Sequence, residues 1–109
     1  MKIENIPFTQ IDWTSIEAVE HTGTTGYVTW KTVNLGDIRI RMVEYSWGYS
    51  TDKWCDKGHI IYCLDGETTI ELKNGNKFTL RKGMTYVVGD NADSHRNFTD
   101  KGARLLIID

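Results

Sequence analysis

Two dipeptides, Asp65-Gly66 and Asn74-Gly75, bracket a segment in which apolar and polar residues alternate, and this arrangement constrains the chain more than any other feature. Asp-Gly and Asn-Gly favour the two-residue type I′ turns of β-hairpins, where both central residues need positive φ. Between them, Glu67-Thr68-Thr69-Ile70-Glu71-Leu72-Lys73 places Thr68, Ile70 and Leu72 on one face of a strand. After the second turn, Lys77-Phe78-Thr79-Leu80-Arg81 places Phe78 and Leu80 together. Three consecutive antiparallel strands are predicted, over residues 59–64, 67–73 and 77–81.

Further strands are predicted over 27–33, 37–46, 85–88, 95–98 and 104–108. Ile38-Arg39-Ile40-Arg41-Met42 alternates, whereas Arg104-Leu105-Leu106-Ile107-Ile108 is a continuous apolar run of the kind buried on both faces. The one helical candidate, 12–19, is short and carries β-branched residues, so it reads as an arm or a single turn. There is no internal repeat, linker or low-complexity stretch. Many short strands at intervals of about ten residues describe an all-β sandwich or barrel. At 109 residues the chain is one domain, because halving it leaves neither part a core.

Thirteen basic against fifteen acidic residues give a net charge of −2, which argues against a nucleic-acid binder. Hydrophobic residues at 39% and charged residues at 26% fit a folded domain rather than a disordered one. No apolar run approaches the ~18 residues of a membrane span. Two cysteines make no disulfide framework, and Met1-Lys2-Ile3-Glu4-Asn5 lacks a signal-peptide core, so the cytoplasm is the expected location.

Chemistry concentrates in the segment from Tyr49 to Gly66. Lys53 and Cys55 project to one face if extended. Asp56-Lys57-Gly58 is a turn signal, and a reversal there brings Cys55 and His59 from adjacent antiparallel strands to one end of a barrel. Without it they lie ~13 Å apart. Cys63, further along the same strand as His59, reads as a small buried hydrophobe on the inner face, and a Cys55–Cys63 disulfide is not expected in a reducing compartment.

Gly48, Lys53, Cys55, His59 and Gly66 follow the frame of the first cupin motif, with the first spacing one residue short. The segment Gly83-Met84-Thr85-Tyr86-Val87-Val88-Gly89-Asp90-Asn91-Ala92-Asp93-Ser94-His95 resembles the second, with Gly89 where proline is usual and the histidine one residue late. Asp52, Trp54-Cys55 and Lys57-Gly58-His59 are similar to the small cupins named for an Asp-His-Cys-Trp set, although Lys53 stands where their histidine does. The resemblance runs from about Trp13 to Asp109. It implies a double-stranded β-helix, a jelly-roll-like barrel, with a mononuclear metal held inside by Cys55, His59 and His95. It licenses no particular reaction.

Two readings follow. In the first, one thiolate and two imidazoles hold zinc, iron, nickel or copper with an open position, and the barrel acts on or senses a small molecule. In the second, the barrel is metal-free: the Lys53 ammonium, which has no lone pair to donate, replaces a ligand and binds an anion or a sugar-like molecule. Lys53, Trp54, Tyr62 and Tyr86 are the pocket candidates. The twelve aromatic residues, Trp30, Tyr45 and Trp47 among them, serve either as core filling or as pocket walls. Arg39 and Arg41 share a strand face, which is expected to be exposed and paired with Glu44 or Glu71; the alternative is an anion clamp. His21 reads as solvated. Residues 1–24 form an arm before a 25–109 core, and its Phe8, Ile11 and Trp13 are expected to dock on a second copy in a homodimer.

Overall fold

The computed structural model describes residues 2–109. A single 3₁₀ turn, Trp13–Ser15, is capped by Asp12, whose side chain accepts from the Thr14 amide at 3.0 Å. Eight strands follow: β1 (Val19–Thr22), β2 (Tyr27–Leu35), β3 (Ile38–Tyr45), β4 (His59–Leu72), β5 (Lys77–Arg81), β6 (Thr85–Val88), β7 (His95–Phe98) and β8 (Ala103–Ile108). All their pairings are antiparallel. One sheet has the order β1-β2-β3-β8-β4-β6 and the other β5-β4-β7, so β4 belongs to both. The result is an all-β barrel. Among the described residues, no helix is long and apolar enough to cross a membrane.

Asp65-Gly66 is not the hairpin turn it resembles. β4 runs straight through it, and its ladder with β8 shifts between Cys63 and Asp65. Gly66 has φ +71°, and a Cβ there collides with the Gly102 carbonyl. The left-handed glycine makes a bulge that bends β4 out of one sheet and into the other. The neighbours of residues 59–66 are β8 and β6, not residues 67–72.

Asn74-Gly75 does close a hairpin, but in another form. The Leu72 amide donates to Asn76 O at 2.8 Å and the Gly75 amide to Leu72 O at 2.9 Å, with only Gly75 at positive φ, +97°. This is a three-residue loop with a glycine bulge, not a type I′ turn.

The core lies between the sheets. Val28, Val43, Tyr49, Ile61, Cys63, Ile70, Leu80, Ala103, Leu105 and Ile107 are buried there, with Cys63 fully enclosed and both cysteines free. In β8 only one face is fully buried; Leu106 and Ile108, on the other, remain half-buried. That outer face continues onto Ile60 and Tyr62 of β4 and Val87 of β6, all exposed. Residues 19–22, expected within an arm, pair with β2 as an edge strand.

Arg39 and Arg41 do not sit on an exposed face opposite glutamates. Arg39 grips Asp109 through two bonds of 2.9 and 3.0 Å, and buried Arg41 adds a third of 3.1 Å. Their face turns inward because Val43, the next residue of the same parity, belongs to the core. The arginines therefore need an internal counterion.

Candidate metal centre

Three polar side chains meet at one end of this core. His59 opens β4 and His95 opens β7. Cys55 lies in the preceding loop, but its backbone pairs with His95: the Cys55 amide donates to His95 O at 2.8 Å, and the His95 amide donates back at 3.0 Å. Cys55 and His59 are thus not hairpin partners, and the reversal between them has a different support. The Gly58 amide donates to the Asp90 carboxylate at 2.7 Å, the Asn91 amide donates to Asp56 O at 2.8 Å, and the Ser94 hydroxyl bonds the Asp56 carboxylate. A Cβ at Gly58 sits 2.5 Å from Asp90 N, so the loops touch only because residue 58 is glycine.

The sulfur of Cys55 and one ring nitrogen from each histidine all lie within 4.8 Å of one another. Both histidines are buried. The Nε2 atoms of His59 and His95 are 2.8 Å apart, with the rings edge to face. Each opposite nitrogen faces an oxygen: His95 Nδ1 is 2.9 Å from the Asp93 carbonyl, and His59 Nδ1 is 3.4 Å from Asp109 Oδ2. A carbonyl and an arginine-paired carboxylate only accept, so both Nδ1 atoms carry hydrogen. In the neutral rings, therefore, two Nε2 lone pairs converge on one point beside a thiol. A proton shared by the two rings or a metal ion held by all three side chains relieves that opposition.

Burial, together with the neighbouring His95, pushes the His59 pKa down to about 4, which keeps that ring neutral. Hydrogen bonding to His95 lowers the Cys55 thiol, and the same contact raises His95. The contact thus favours a Cys55 thiolate beside a His95 ring that holds its proton, and a metal ion entering the cluster displaces that proton.

The three side chains face a cavity of about 150 Å³, also lined by Trp30, Tyr45, Tyr49 and Tyr86. Of the pocket candidates, Tyr86 lines this cavity and Lys53 stands at its rim, exposed to solvent. Trp54 does not line it: its ring stacks on Arg96, whose guanidinium carbon is 4.1 Å from the ring centre. Tyr62 is also outside the cavity, 41% exposed on the outer face, because even-numbered positions at the start of β4 point away from the core. Trp47 is exposed, and His21, although exposed, packs its ring at a tilt against Trp30, with centroids 4.3 Å apart. Trp30 and Tyr45, read from the sequence as core filling or pocket walls, line the cavity, whereas sequence reasoning missed Asp109 as the partner of His59, and Tyr49 and Asn97 as parts of the cavity. Only the inward parity of β3 and β7 signals any of them.

No family model matches the chain, and no curated protein matches it. Among solved structures, it is similar to ectoine synthase from P. lautus, with 17% identity over 93% of this chain and 76% of that one and a TM-score of 0.76. It is also similar to a predicted oxalate decarboxylase from Thermotoga maritima, with 16% identity over 92% and 96% and a TM-score of 0.76. A cupin-2 domain containing protein from Shewanella frigidimarina matches with 16% identity over 71% and 74% and a TM-score of 0.58. At these identities the likeness is one of fold.

Proposed function

We propose that this chain, a small barrel with the cupin fold, binds a single transition-metal ion through Cys55, His59 and His95 and acts on or senses a small molecule in the adjoining cavity. The observation that carries this reading is the pair of Nε2 atoms facing each other at 2.8 Å while both Nδ1 atoms are held by acceptors. A shared proton neutralises two of the three donors; a metal ion satisfies all three. One sulfur and two nitrogens suit zinc, iron, nickel or copper and disfavour magnesium and calcium, which take oxygen. When bound, such an ion would supply Lewis-acid chemistry beside the cavity.

The chain's own residues prepare the site. Asp109 and the Asp93 carbonyl orient the imidazoles, as outer partners of metal-binding histidines commonly do. Tyr86 and Trp30 wall the cavity. The metal-free reading has less support, because Lys53 is exposed at the cavity rim whereas His59 and His95 are buried. Elemental analysis of untagged protein beside a Cys55→Ala, His59→Ala double variant tests the proposal. Metal in the parent and none in the variant is expected; equal, near-zero content in both overturns it.

A further inference from the structure

Among the described residues, three buried side-chain atoms have no hydrogen-bond partner: Arg41 Nε, Tyr86 OH and Asn97 Oδ1. All three residues line the cavity beside the Cys55–His59–His95 cluster. Buried polar atoms are rarely left unmatched, so three around one small space mark a place where something else supplies the partners. Arg41 and Asn97 are only 6% and 7% exposed.

Apart from the Cys55 thiol, the charged groups around this space are cationic. Arg41, Lys53 and Arg96 line it, and no aspartate or glutamate does. Asp109 behind the wall is shared by Arg39 and Arg41, and Glu71 is occupied by Arg96 at 2.7 Å, which leaves the surroundings net positive. Arg41 is fixed in place: one terminal nitrogen is on Asp109 at 3.1 Å, and its guanidinium carbon lies 4.6 Å from the centre of the Trp30 ring. Its free Nε–H is a charged donor. Asn97 donates through Nδ2 to Tyr45 OH at 3.0 Å, so its Oδ1 requires a donor.

The geometry points to a small hydroxy acid as the ligand of this cavity, its carboxylate taken by Arg41 and its hydroxyl donating to Asn97 Oδ1, with Tyr86 OH completing the set. Water matches the hydrogen bonds but not the charge. The cavity, about 150 Å³, has room for about five waters at ~30 Å³ each, the scale of a short-chain acid rather than a sugar phosphate. This inference rests on the metal-centre reading of the same cavity, and its test separates the two.

Lactate serves as the probe, with lactamide as its uncharged isostere and inorganic phosphate as a competing anion, each titrated calorimetrically into protein with and without zinc. Lactate is expected to bind at least about tenfold more tightly than lactamide or phosphate. Arg41→Lys removes the Nε donor, and Asn97→Asp keeps the shape but places a negative charge in the cavity; each is expected to cost lactate at least about tenfold. Should the arginine variant fail to fold, the Asn97 variant decides, with zinc uptake expected to be retained. Equal binding of lactate and lactamide, tighter binding of phosphate, or indifference to Asn97→Asp overturns the hydroxy-acid assignment while zinc uptake still stands. Selective lactate binding without zinc uptake supports the carboxylate subsite and removes the metal.

Discussion

Asp109 Oδ2 lies 3.1 Å from an Arg41 terminal nitrogen and 3.4 Å from His59 Nδ1, so one carboxylate oxygen both neutralises a buried guanidinium and orients an imidazole of the donor cluster. Asp109→Asn keeps the shape and removes the charge, leaving Arg41 without its counterion at 7% side-chain exposure. The expected loss is about 3 kcal/mol in denaturant unfolding of the metal-free protein. Zinc affinity, measured by competition with a chelator, is expected to fall by about 10- to 100-fold because the ring loses its orienting acceptor. Unchanged values for both remove the dual role.

Metal uptake is expected to be pH-dependent, with a definite sign. The contact with Cys55 raises His95, so in the metal-free protein the cluster holds its proton on that ring to higher pH than a free histidine does. Binding must expel this proton, so affinity weakens as pH falls through the raised value. His59, pushed down to about 4, adds no competition near neutrality. Calorimetry in buffers of different ionisation enthalpy is expected to show proton release at neutral pH. Uptake without proton release contradicts the assignment.

Gly66→Ala tests the bend in β4. Its φ of +71° and the Gly102 carbonyl facing the missing Cβ together oppose any side chain. A loss of about 2–3 kcal/mol is expected in denaturant unfolding. A loss within error of zero shows that β4 does not need the glycine bulge.

The outer face of the β3-β8-β4-β6 sheet exposes Ile60, Tyr62 and Val87, at 38%, 41% and 71%, and Phe8 projects at 95% exposure. A homodimer formed through this face is a prediction. Light scattering is expected to show a dimer for the parent and a monomer for a Tyr62→Lys, Val87→Lys variant. A monomeric parent refutes the interface.

How far the sequence reveals this structure follows from where its information lies. Alternation between Thr68 and Leu80 was legible because each residue's face is set by its neighbours. The glycine at position 66 was legible as a positive-φ residue but not as a bulge, since turn and bulge differ only in which distant strand is recruited. Cys55, His59 and His95 were recoverable from motif spacing, yet the pairing of Cys55 with His95 was not, because it joins segments 40 residues apart. Asp109 was the least legible: its bonds to Arg39 span 70 residues, and a lone side-chain carboxylate carries no local pattern. Tyr62 and Trp54 were misplaced for one reason, that aromatic character indicates burial but not which side of the sheet.

Whether Cys55, His59 and His95 share one metal ion is decided by cobalt(II) titration of the untagged protein. The account expects a thiolate-to-cobalt charge-transfer band that saturates at one ion per chain, disappears in Cys55→Ser and is displaced by zinc. Failure to take up cobalt, or a band that survives Cys55→Ser unchanged, contradicts it.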